Sequence, residues 1–367
     1  MRVAIDATSL LLRSAGIKSY TYHWIEHLRR IAGDDEIHPF PFLKRYGQLD
    51  HERSVLEPWQ TWPRLALLYA VNVPGPPLLD CLCAGVDIFH ASNQVRRPPA
   101  RVRLTATIHD LTCWLMPELH TAANVRADNT FAERVLRHAN GMIAVSENTR
   151  HDAERLLGLD ASKIEVIYSG IAQEYFDAPP LALGTLGIFR PYILFVGTIE
   201  PRKNLDTLID AYVCLEGALR EQFDLVIAGP DGWSSERTLA RLNSGVPGVR
   251  YLGYVPEDSL PGLTAGATVF AYPSLYEGFG FPLAQAMAAG VAAITSNMSC
   301  LPEVAGDAAL LVDPRSVEEV CTALERLLST PALRAELGAK GRVRAAERYR
   351  WEICARKSLQ FFQRVAG

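Results

Sequence analysis

Residues 268–285 read TVFAYPSLYEGFGFPLAQ, and this stretch indicates the fold. Four of its first five residues, TVFAY, are β-branched or aromatic, which is typical of a buried strand. Gly278 and Gly280 follow in a loop, and Pro282 then favours the first turn of a helix that ends near Gly290. A strand, a glycine-rich loop and a helix in this order predict one βα unit of a parallel sheet.

The same order of elements recurs along the chain. Residues 192–205 read YILFVGTIEPRKNL, which predicts another strand, loop and helix. Because such units fill both halves, we predict an α/β fold of two Rossmann-like domains with parallel sheets. The predicted strands are Val3–Ile5, Asp87–His90, Leu104–Ile108, Gly141–Val145, Ile164–Tyr168, Tyr192–Val196, Asp224–Ala228, Val249–Leu252, Thr268–Tyr272 and Val291–Thr295, and the other predicted helices are Ile17–Ile31, Phe131–His138, Glu147–Leu157, Asn204–Leu219 and Arg342–Val365.

Residues 177–186 interrupt this alternation. Pro179 and Pro180 favour an extended connection, so we place the domain linker here. The first domain is expected to span 1–182 and the second 185–349, and a C-terminal helix over about 350–367 is expected to pack back on the first domain.

Composition excludes several classes of protein. The chain has 367 residues, 49% of them hydrophobic, which is enough for two domain cores. The formal net charge of −4 argues against nucleic acid as the main partner. The seven scattered cysteines fit no closed disulfide framework and, with no signal-peptide pattern, predict a cytoplasmic protein.

Loops that follow strands are the places where parallel sheets bind ligands. Gly16 follows the first strand and precedes a helix, which suits a phosphate contact, although a simple turn explains it equally well. No G-x-G-x-x-G motif follows that strand, so a dehydrogenase is not expected. After residues 192–196, Gly197 leaves the strand and Arg202 and Lys203 precede a helix that Asn204 would cap. These two cations either form a solvated pair or neutralise a bound diphosphate.

The stretch 273–285 adds the most specific chemistry. Gly278 and Gly280 free backbone N–H groups to line an anion site. The Glu277 carboxylate suits the hydroxyls of a donor sugar, and the Gln285 amide, in the first turn of the following helix, suits a ribose hydroxyl.

This stretch resembles the E-x7-E signature of glycosyltransferase family 4, whose members are retaining enzymes of the GT-B fold. The resemblance covers nearly the whole chain, and GTIEPRKN at 197–204 is similar to the form found in bacterial mannosyltransferases of surface-polysaccharide assembly. It implies two domains that face each other across a deep cleft, with the acceptor on the first and the nucleotide sugar on the second. The other matching stretches are IHDL at 108–111, AVS at 144–146 and LPEVAGDAA at 301–309.

The resemblance also implies roles for individual residues. Glu277 would hold the donor sugar, Lys203 with Arg202 nearby would neutralise the diphosphate, and His109 would lie beside the reacting sugar. Tyr254 and Val255 would contact the base, largely through their backbone. The backbone groups expected to assist at the diphosphate are those of Gly16, Gly278, Phe279, Gly280 and Phe281.

Two positions depart from the family pattern. Gln285 stands where the family has its second glutamate, so the ribose contact is neutral. Thr198 stands where the family often has arginine, so the phosphate charge falls more heavily on Lys203. Neither change removes a group assigned to bond breaking.

Metal and cofactor are not expected. Metal-dependent transferases typically carry a D-x-D triplet, and none occurs in this sequence. A lysine, a helix terminus and backbone N–H groups can stabilise the leaving diphosphate instead. The resemblance implies retention by front-face substitution, in which the departing phosphate helps to deprotonate the acceptor while His109 donates a hydrogen bond. The alternative for His109 is a structural loop residue capped by Asp110.

The acceptor is expected to be a glycan or a polyprenyl-linked glycan. Asn93, Gln94, Trp114 and Arg126 lie in or near loops of the first domain and are either acceptor contacts or surface residues. The aromatic stretch Trp59–Leu79 either lies in a membrane interface, at the inner face of the membrane, or packs on its own domain.

The favoured function is a mannosyltransferase that uses GDP-mannose. A UDP-sugar donor on the same fold remains an alternative, as does a non-catalytic nucleotide-sugar-binding protein with Gln285 as a mark of decay. An epimerase would not resemble the EPRKN loop this well, and nothing marks the pyridoxal-phosphate lysine of a phosphorylase.

Overall fold

The computed structural model describes residues 1–14, 16–73, 78–92, 94–181 and 183–367. They form two compact units, Met1–Gly170 together with Trp351–Gly367, and Ile171–Arg350. The predicted linker, 177–186, therefore falls within the second unit. Its backbone is held there because the Leu181 N–H donates to the Gly262 carbonyl at 3.0 Å.

The first unit is built on a six-stranded parallel sheet in the order β2-β1-β3-β4-β5-β6. The strands are three to six residues long. Most of their residues are buried, as expected for a parallel sheet that is covered on both faces. The strands are β1 (Arg2–Asp6), β2 (Glu36–Phe40), β3 (Ile88–Ala91), β4 (Arg103–Ile108), β5 (Gly141–Ala144) and β6 (Ile164–Val166). The helices of the chain before Gly170 are α1 (Gly16–Ile31), α2 (Pro58–Asn72), α3 (Leu78–Leu82), α4 (Thr112–Leu115), α5 (Ala122–Arg134) and α6 (Glu147–Leu157).

The second unit repeats this architecture with a six-stranded parallel sheet in the order β12-β11-β10-β7-β8-β9. The strands are β7 (Tyr192–Val196), β8 (Asp224–Ala228), β9 (Val249–Tyr251), β10 (Val269–Tyr272), β11 (Ala293–Ser296) and β12 (Ala309–Val312). The helices are α7 (Glu174–Asp177), α8 (Leu205–Cys214), α9 (Gly217–Gln222), α10 (Glu236–Asn243), α11 (Leu260–Ala265), α12 (Phe281–Ala288), α13 (Leu301–Ala305), α14 (Val317–Ser329) and α15 (Pro331–Arg348), and α16 (Trp351–Ala366) returns to the first unit.

The α/β fold and all ten predicted strands are confirmed, but three predicted helices have the wrong bounds. The helix predicted over 204–219 is two helices, because Leu215 adopts an extended conformation between α8 and α9. The pattern over 342–365 spans the end of α15 and most of α16. The helical conformation is interrupted at Tyr349, whose carbonyl accepts a hydrogen bond from the Ile171 N–H at 2.6 Å. The predicted segment 131–138 begins earlier, at Ala122, and ends at Arg134. Strands β2 and β12 were not predicted.

Helix α16 completes the core of the first unit. Trp24 of α1 is 1% exposed, and its indole N–H donates to Ser358 Oγ at 2.9 Å, which satisfies the polar atom that a buried tryptophan carries. Trp351 at the start of α16 is also buried and lies against the backbone of Gly170. No helix among the described residues is both long enough and apolar enough to cross a bilayer.

Replacing Gly170 should test this packing. A Cβ atom at Gly170 would lie 2.3 Å from Trp351 Cδ2, so Gly170→Ala must displace the indole. We expect a loss of about 1–3 kcal/mol in the free energy of unfolding, measured by urea denaturation. Gly217→Ala is the control, because in the described part of the chain no atom lies within 4 Å of a Cβ atom at that position. Equal stability of the two variants would contradict the placement of α16.

Candidate active site

Two loops of the second unit meet because their strands are neighbours. Strands β7 and β10 pair in parallel, so the segments 197–204 and 273–280 leave the same edge of the sheet. The Leu275 N–H donates to the Arg202 carbonyl at 2.8 Å, which ties the two loops together through the backbone.

Asn204 adds a second tie between these loops. Its backbone is left-handed, with φ of 57°, a conformation that asparagine tolerates better than most residues. Its side-chain amide donates to the carbonyls of Pro273 at 3.1 Å and Pro314 at 2.6 Å. The predicted side-chain cap is therefore wrong: Asn204 precedes α8 but accepts no backbone N–H of that helix.

Glu277 is the centre of the site. It is 7% exposed, and its two carboxylate oxygens accept from four side chains. Oε1 accepts from Lys203 Nζ at 2.6 Å and from the hydroxyls of Tyr272 at 2.8 Å and Ser274 at 2.7 Å. Oε2 pairs with Arg202 Nη1 at 2.9 Å.

The charge of Glu277 is fixed by these partners. Burial alone would raise the pKa of this carboxyl, but the nearby charges of Arg202 and Lys203 outweigh it and hold the pKa at about 2. The side chain is therefore ionised at neutral pH. An ionised carboxylate only accepts hydrogen bonds, which suits sugar hydroxyls as partners.

Lys203 and Arg202 differ in how they are held. Lys203 is 8% exposed, and its ammonium donates to Glu277 and to the Tyr272 hydroxyl, the latter at 2.9 Å. Arg202 spans more groups: Nη1 also donates to the Tyr276 carbonyl at 2.6 Å, and Nη2 donates to Glu200 Oε1 at 2.7 Å. The arginine that the sequence assigned to phosphate thus contacts two carboxylates in this structure.

The glycine-rich loop contains one position that requires glycine. Gly280 has φ of 81° just before α12, and a Cβ atom there would lie 2.7 Å from Leu301 Cδ2, so only glycine fits without strain. The Phe279 ring packs on Phe281, with ring centroids 5.3 Å apart, and on Tyr349. Gly278 is buried in the same loop. At Gly197 a Cβ atom would meet only ordinary contacts.

The other predicted donor residues lie on loops or helices of the same unit. Thr198 is half-buried in the loop after β7. Tyr254 is 36% exposed and Val255 is buried, both in the loop after β9. Gln285 is half-buried and is the fifth residue of α12, at the start of the second turn, because the helix begins at Phe281.

His109 lies in the first unit, directly after β4. Its ring meets the edge of Tyr20 at a centroid distance of 4.9 Å and borders a cavity of about 10 Å³ that Asp6 and His90 also line. Burial lowers the pKa of His109 from 6.5 to about 4, although the Asp110 charge opposes this. His109 is therefore neutral at pH 7. The Asp110 carboxylate accepts hydrogen bonds from the backbone N–H and the hydroxyl of Thr112, the first residue of α4.

The remaining predicted residues of the first unit do not form one cluster. Gly16 begins α1, and no atom of the described residues lies within 4 Å of a Cβ atom built there, so these residues do not require glycine at this position. The Gln94 carbonyl accepts from Asn72, Trp114 packs against the core, and Arg126 is exposed. Asn93 lies outside the described residues.

Sequence reasoning missed four residues of the site. Glu200, Tyr272 and Ser274 surround Lys203, Arg202 and Glu277, and each stood within a stretch already singled out. Gly229 follows β8 in the sequence GPDG, and a Cβ atom there would lie 1.9 Å from the Gly197 carbonyl oxygen. A glycine pair directly after a strand was the signal that could have identified this third loop.

Known proteins share this architecture. The family described as "Glycosyl transferases group 1" matches residues 189–344, and "Glycosyltransferase Family 4" matches residues 15–175. O-antigen chain mannosyltransferase B of Escherichia coli is 32% identical over 75% of this chain and 74% of its own length.

Two further proteins extend the comparison. The GDP-mannose-dependent alpha-(1-6)-phosphatidylinositol monomannoside mannosyltransferase of Mycobacterium tuberculosis is 29% identical, and the match covers 60% of each chain. The crystal structure of Anabaena Alr3699/HepE in complex with UDP-glucose has the same fold, with a TM-score of 0.74 and 18% identity over 99% of both chains. The family matches and the first relative together show that this chain is a glycosyltransferase of group 1 and family 4 with the GT-B fold.

Proposed function

We propose that this glycosyltransferase moves mannose from GDP-mannose to a glycan or lipid-linked glycan, with retention of the anomeric configuration and without a metal ion. The observation that carries the proposal is the buried, ionised Glu277 paired with Lys203 beside the glycine-rich loop. The names of the two mannosyltransferase relatives support the choice of sugar and donor.

In this proposal Lys203 stabilises the leaving diphosphate. Its ammonium carries three N–H groups, and Glu277 and Tyr272 occupy two of them. Negative charge grows on the diphosphate as the sugar departs. A buried cation and the backbone N–H groups of residues 278–281 are fixed donors for that charge, so no metal ion is required.

Glu277 binds the transferred sugar. Oε1 is saturated by three donors, whereas Oε2 accepts from Arg202 and keeps capacity for a sugar hydroxyl. Arg202, anchored on Glu200, orients this oxygen. His109, held neutral, donates a hydrogen bond to the sugar, and the departing phosphate takes the proton of the acceptor hydroxyl on the same face.

A UDP-sugar is the second candidate donor. The Anabaena protein, which has this fold, was crystallised with UDP-glucose. Tyr254 and Val255 are proposed to contact the base through their backbone, so their side chains do not indicate which base is bound. Thermal stabilisation by GDP and GDP-mannose, compared with UDP and UDP-glucose, distinguishes the two. We expect the guanine pair to stabilise the protein in the presence of EDTA. Stabilisation by UDP and UDP-glucose alone would show that the donor is a UDP-sugar and not GDP-mannose. Loss of the stabilisation in EDTA would refute metal independence.

Lys203→Ala should lower kcat in protein that remains folded. The change also removes one of the two cations that face the buried Glu277 carboxylate, so we expect some loss of stability as well. Removing a cation that acts on the leaving group is expected to lower kcat by about 10²–10³-fold. Initial rates with the donor in excess measure this, and Lys340→Ala is the control because that lysine is exposed and pairs with Glu336 and Asp307. A folded Lys203→Ala variant with normal kcat would remove Lys203 from the diphosphate role.

Glu277→Gln should separate sugar binding from nucleotide binding. The amide keeps the shape of the carboxylate but loses the charge that faces Lys203 and Arg202. We expect GDP to bind within about threefold of the normal affinity while kcat/KM falls by about 10²-fold or more.

Titration calorimetry with GDP and rate assays with GDP-mannose give the two quantities, and Glu318→Gln, on the exposed face of α14, is the matched control. An equal loss of GDP affinity and of turnover would contradict the assignment of Glu277 to the sugar.

The pH profile of kcat/KM should lack a histidine titration near pH 6.5. Burial lowers the pKa of His109 to about 4, so this ring gains a proton only when the pH falls towards 4. Glu277, with a pKa of about 2, stays ionised throughout. We expect a flat profile between about pH 5.5 and 8. An acid limb near pH 6.5 that disappears in His109→Asn would show that His109 titrates normally.

A further inference from the structure

Helix α2 presents an apolar face to solvent. Trp59, Trp62 and Tyr69 are 73%, 70% and 74% exposed, which is unusual for aromatic side chains of this size. They are spaced along one side of the helix, and exposed Ala66 and Val73 continue the row. We define these five residues as the α2 face.

The opposite side of α2 carries its polar groups. Thr61 is buried, and Arg64 donates to the carbonyls of Pro41 at 3.1 Å and Gln60 at 2.8 Å. Leu67 and Leu68 pack against the core of the unit. A helix on the surface of a globular protein normally turns its polar residues outward, whereas the outer face of α2 is apolar and has no charged side chain.

Basic residues flank the α2 face. At one end Phe42, itself 50% exposed, is held near α2 by Arg64, and the exposed Lys44 and Arg45 follow it. At the other end Arg97 Nη1 donates to the Val73 carbonyl at 2.6 Å. Glu57, which precedes the helix, is the acidic residue nearest to this surface in sequence.

Helix α2 lies beside the carboxyl ends of two strands of the first sheet. The Val55 N–H donates to the Leu10 carbonyl at 3.1 Å, and Arg64 reaches Pro41, so α2 is anchored just beyond the ends of β1 and β2. His109 follows β4 at the same edge, since all strands of this sheet are parallel.

We propose that the α2 face docks the first unit on a membrane surface that contains anionic lipid. Exposed tryptophan and tyrosine rings beside apolar residues match the interfacial region of a bilayer, and lysine and arginine at the rim match anionic headgroups. A second copy of this chain is disfavoured, because a two-fold contact would bring the rim cations together with few carboxylates to oppose them. Docking here brings the sheet edge of His109 to the lipid, which, on the basis of the proposed function, is where a lipid-linked acceptor is found.

Vesicle flotation tests the proposal. We expect the wild-type protein to float with phosphatidylcholine vesicles that contain phosphatidylglycerol and to bind pure phosphatidylcholine at least about tenfold more weakly. The combined variant Trp59→Gln, Trp62→Gln and Tyr69→Gln should lose about tenfold or more of the binding to mixed vesicles. Phe189→Gln is the control, since this ring is 79% exposed in the second unit and should not affect flotation.

Two additional measurements keep the outcomes distinct. The substituted side chains are exposed, so the triple variant should keep its melting temperature and its stabilisation by GDP. The stabilisation by GDP tests the proposed donor, whereas flotation tests membrane docking. Equal flotation of the triple variant and the wild type would overturn the proposal. A second result would also overturn it: the wild type sediments as a dimer, the triple variant sediments as a monomer, and neither protein floats. The α2 face would then join two copies of the chain.

Discussion

A buried negative charge on Glu277 organises the second unit. Removing a carboxylate from water costs several kcal/mol unless cations and hydrogen-bond donors replace the lost hydration. Here Lys203 and Arg202 supply the charge, and Tyr272 and Ser274 supply hydroxyl donors. Because these groups come from two loops, the loops must keep their mutual position for the carboxylate to remain ionised.

The parallel sheet makes this arrangement possible. Strands β7 and β10 are neighbours although more than 70 residues separate them in sequence, and both end at the same edge. The backbone bond from Leu275 to Arg202 and the amide of Asn204 then lock the loop that carries the cations to the loop that carries the carboxylate. Gly229 allows a third loop to approach Gly197 more closely than any side chain would permit.

Apolar runs and loop residues were enough to predict the α/β fold, ten strands and the glycine-rich loop. The apolar pattern over 342–365 did not mark the break between α15 and α16, since both sides have helical composition and the chain bends to pair Tyr349 with Ile171. Strand β2 has polar residues at alternate positions and a proline, which hid it. The contact of Arg202 with Glu200 depends on a turn between β7 and α8, and the spacing of apolar residues in the sequence does not predict turns. The sequence showed an aromatic stretch at α2, but only the structure shows that its aromatic side faces outward.

The structure of the protein bound to GDP-mannose is the most direct test of the role given to the Glu277 site. We predict that Lys203 Nζ lies within about 2.7–3.2 Å of a diphosphate oxygen and that a sugar hydroxyl donates to Glu277. We also predict that Arg202 remains bound to Glu200. A donor bound elsewhere, or one whose diphosphate lies beyond the reach of Lys203 while the Lys203–Glu277 pair is unchanged, would contradict the account.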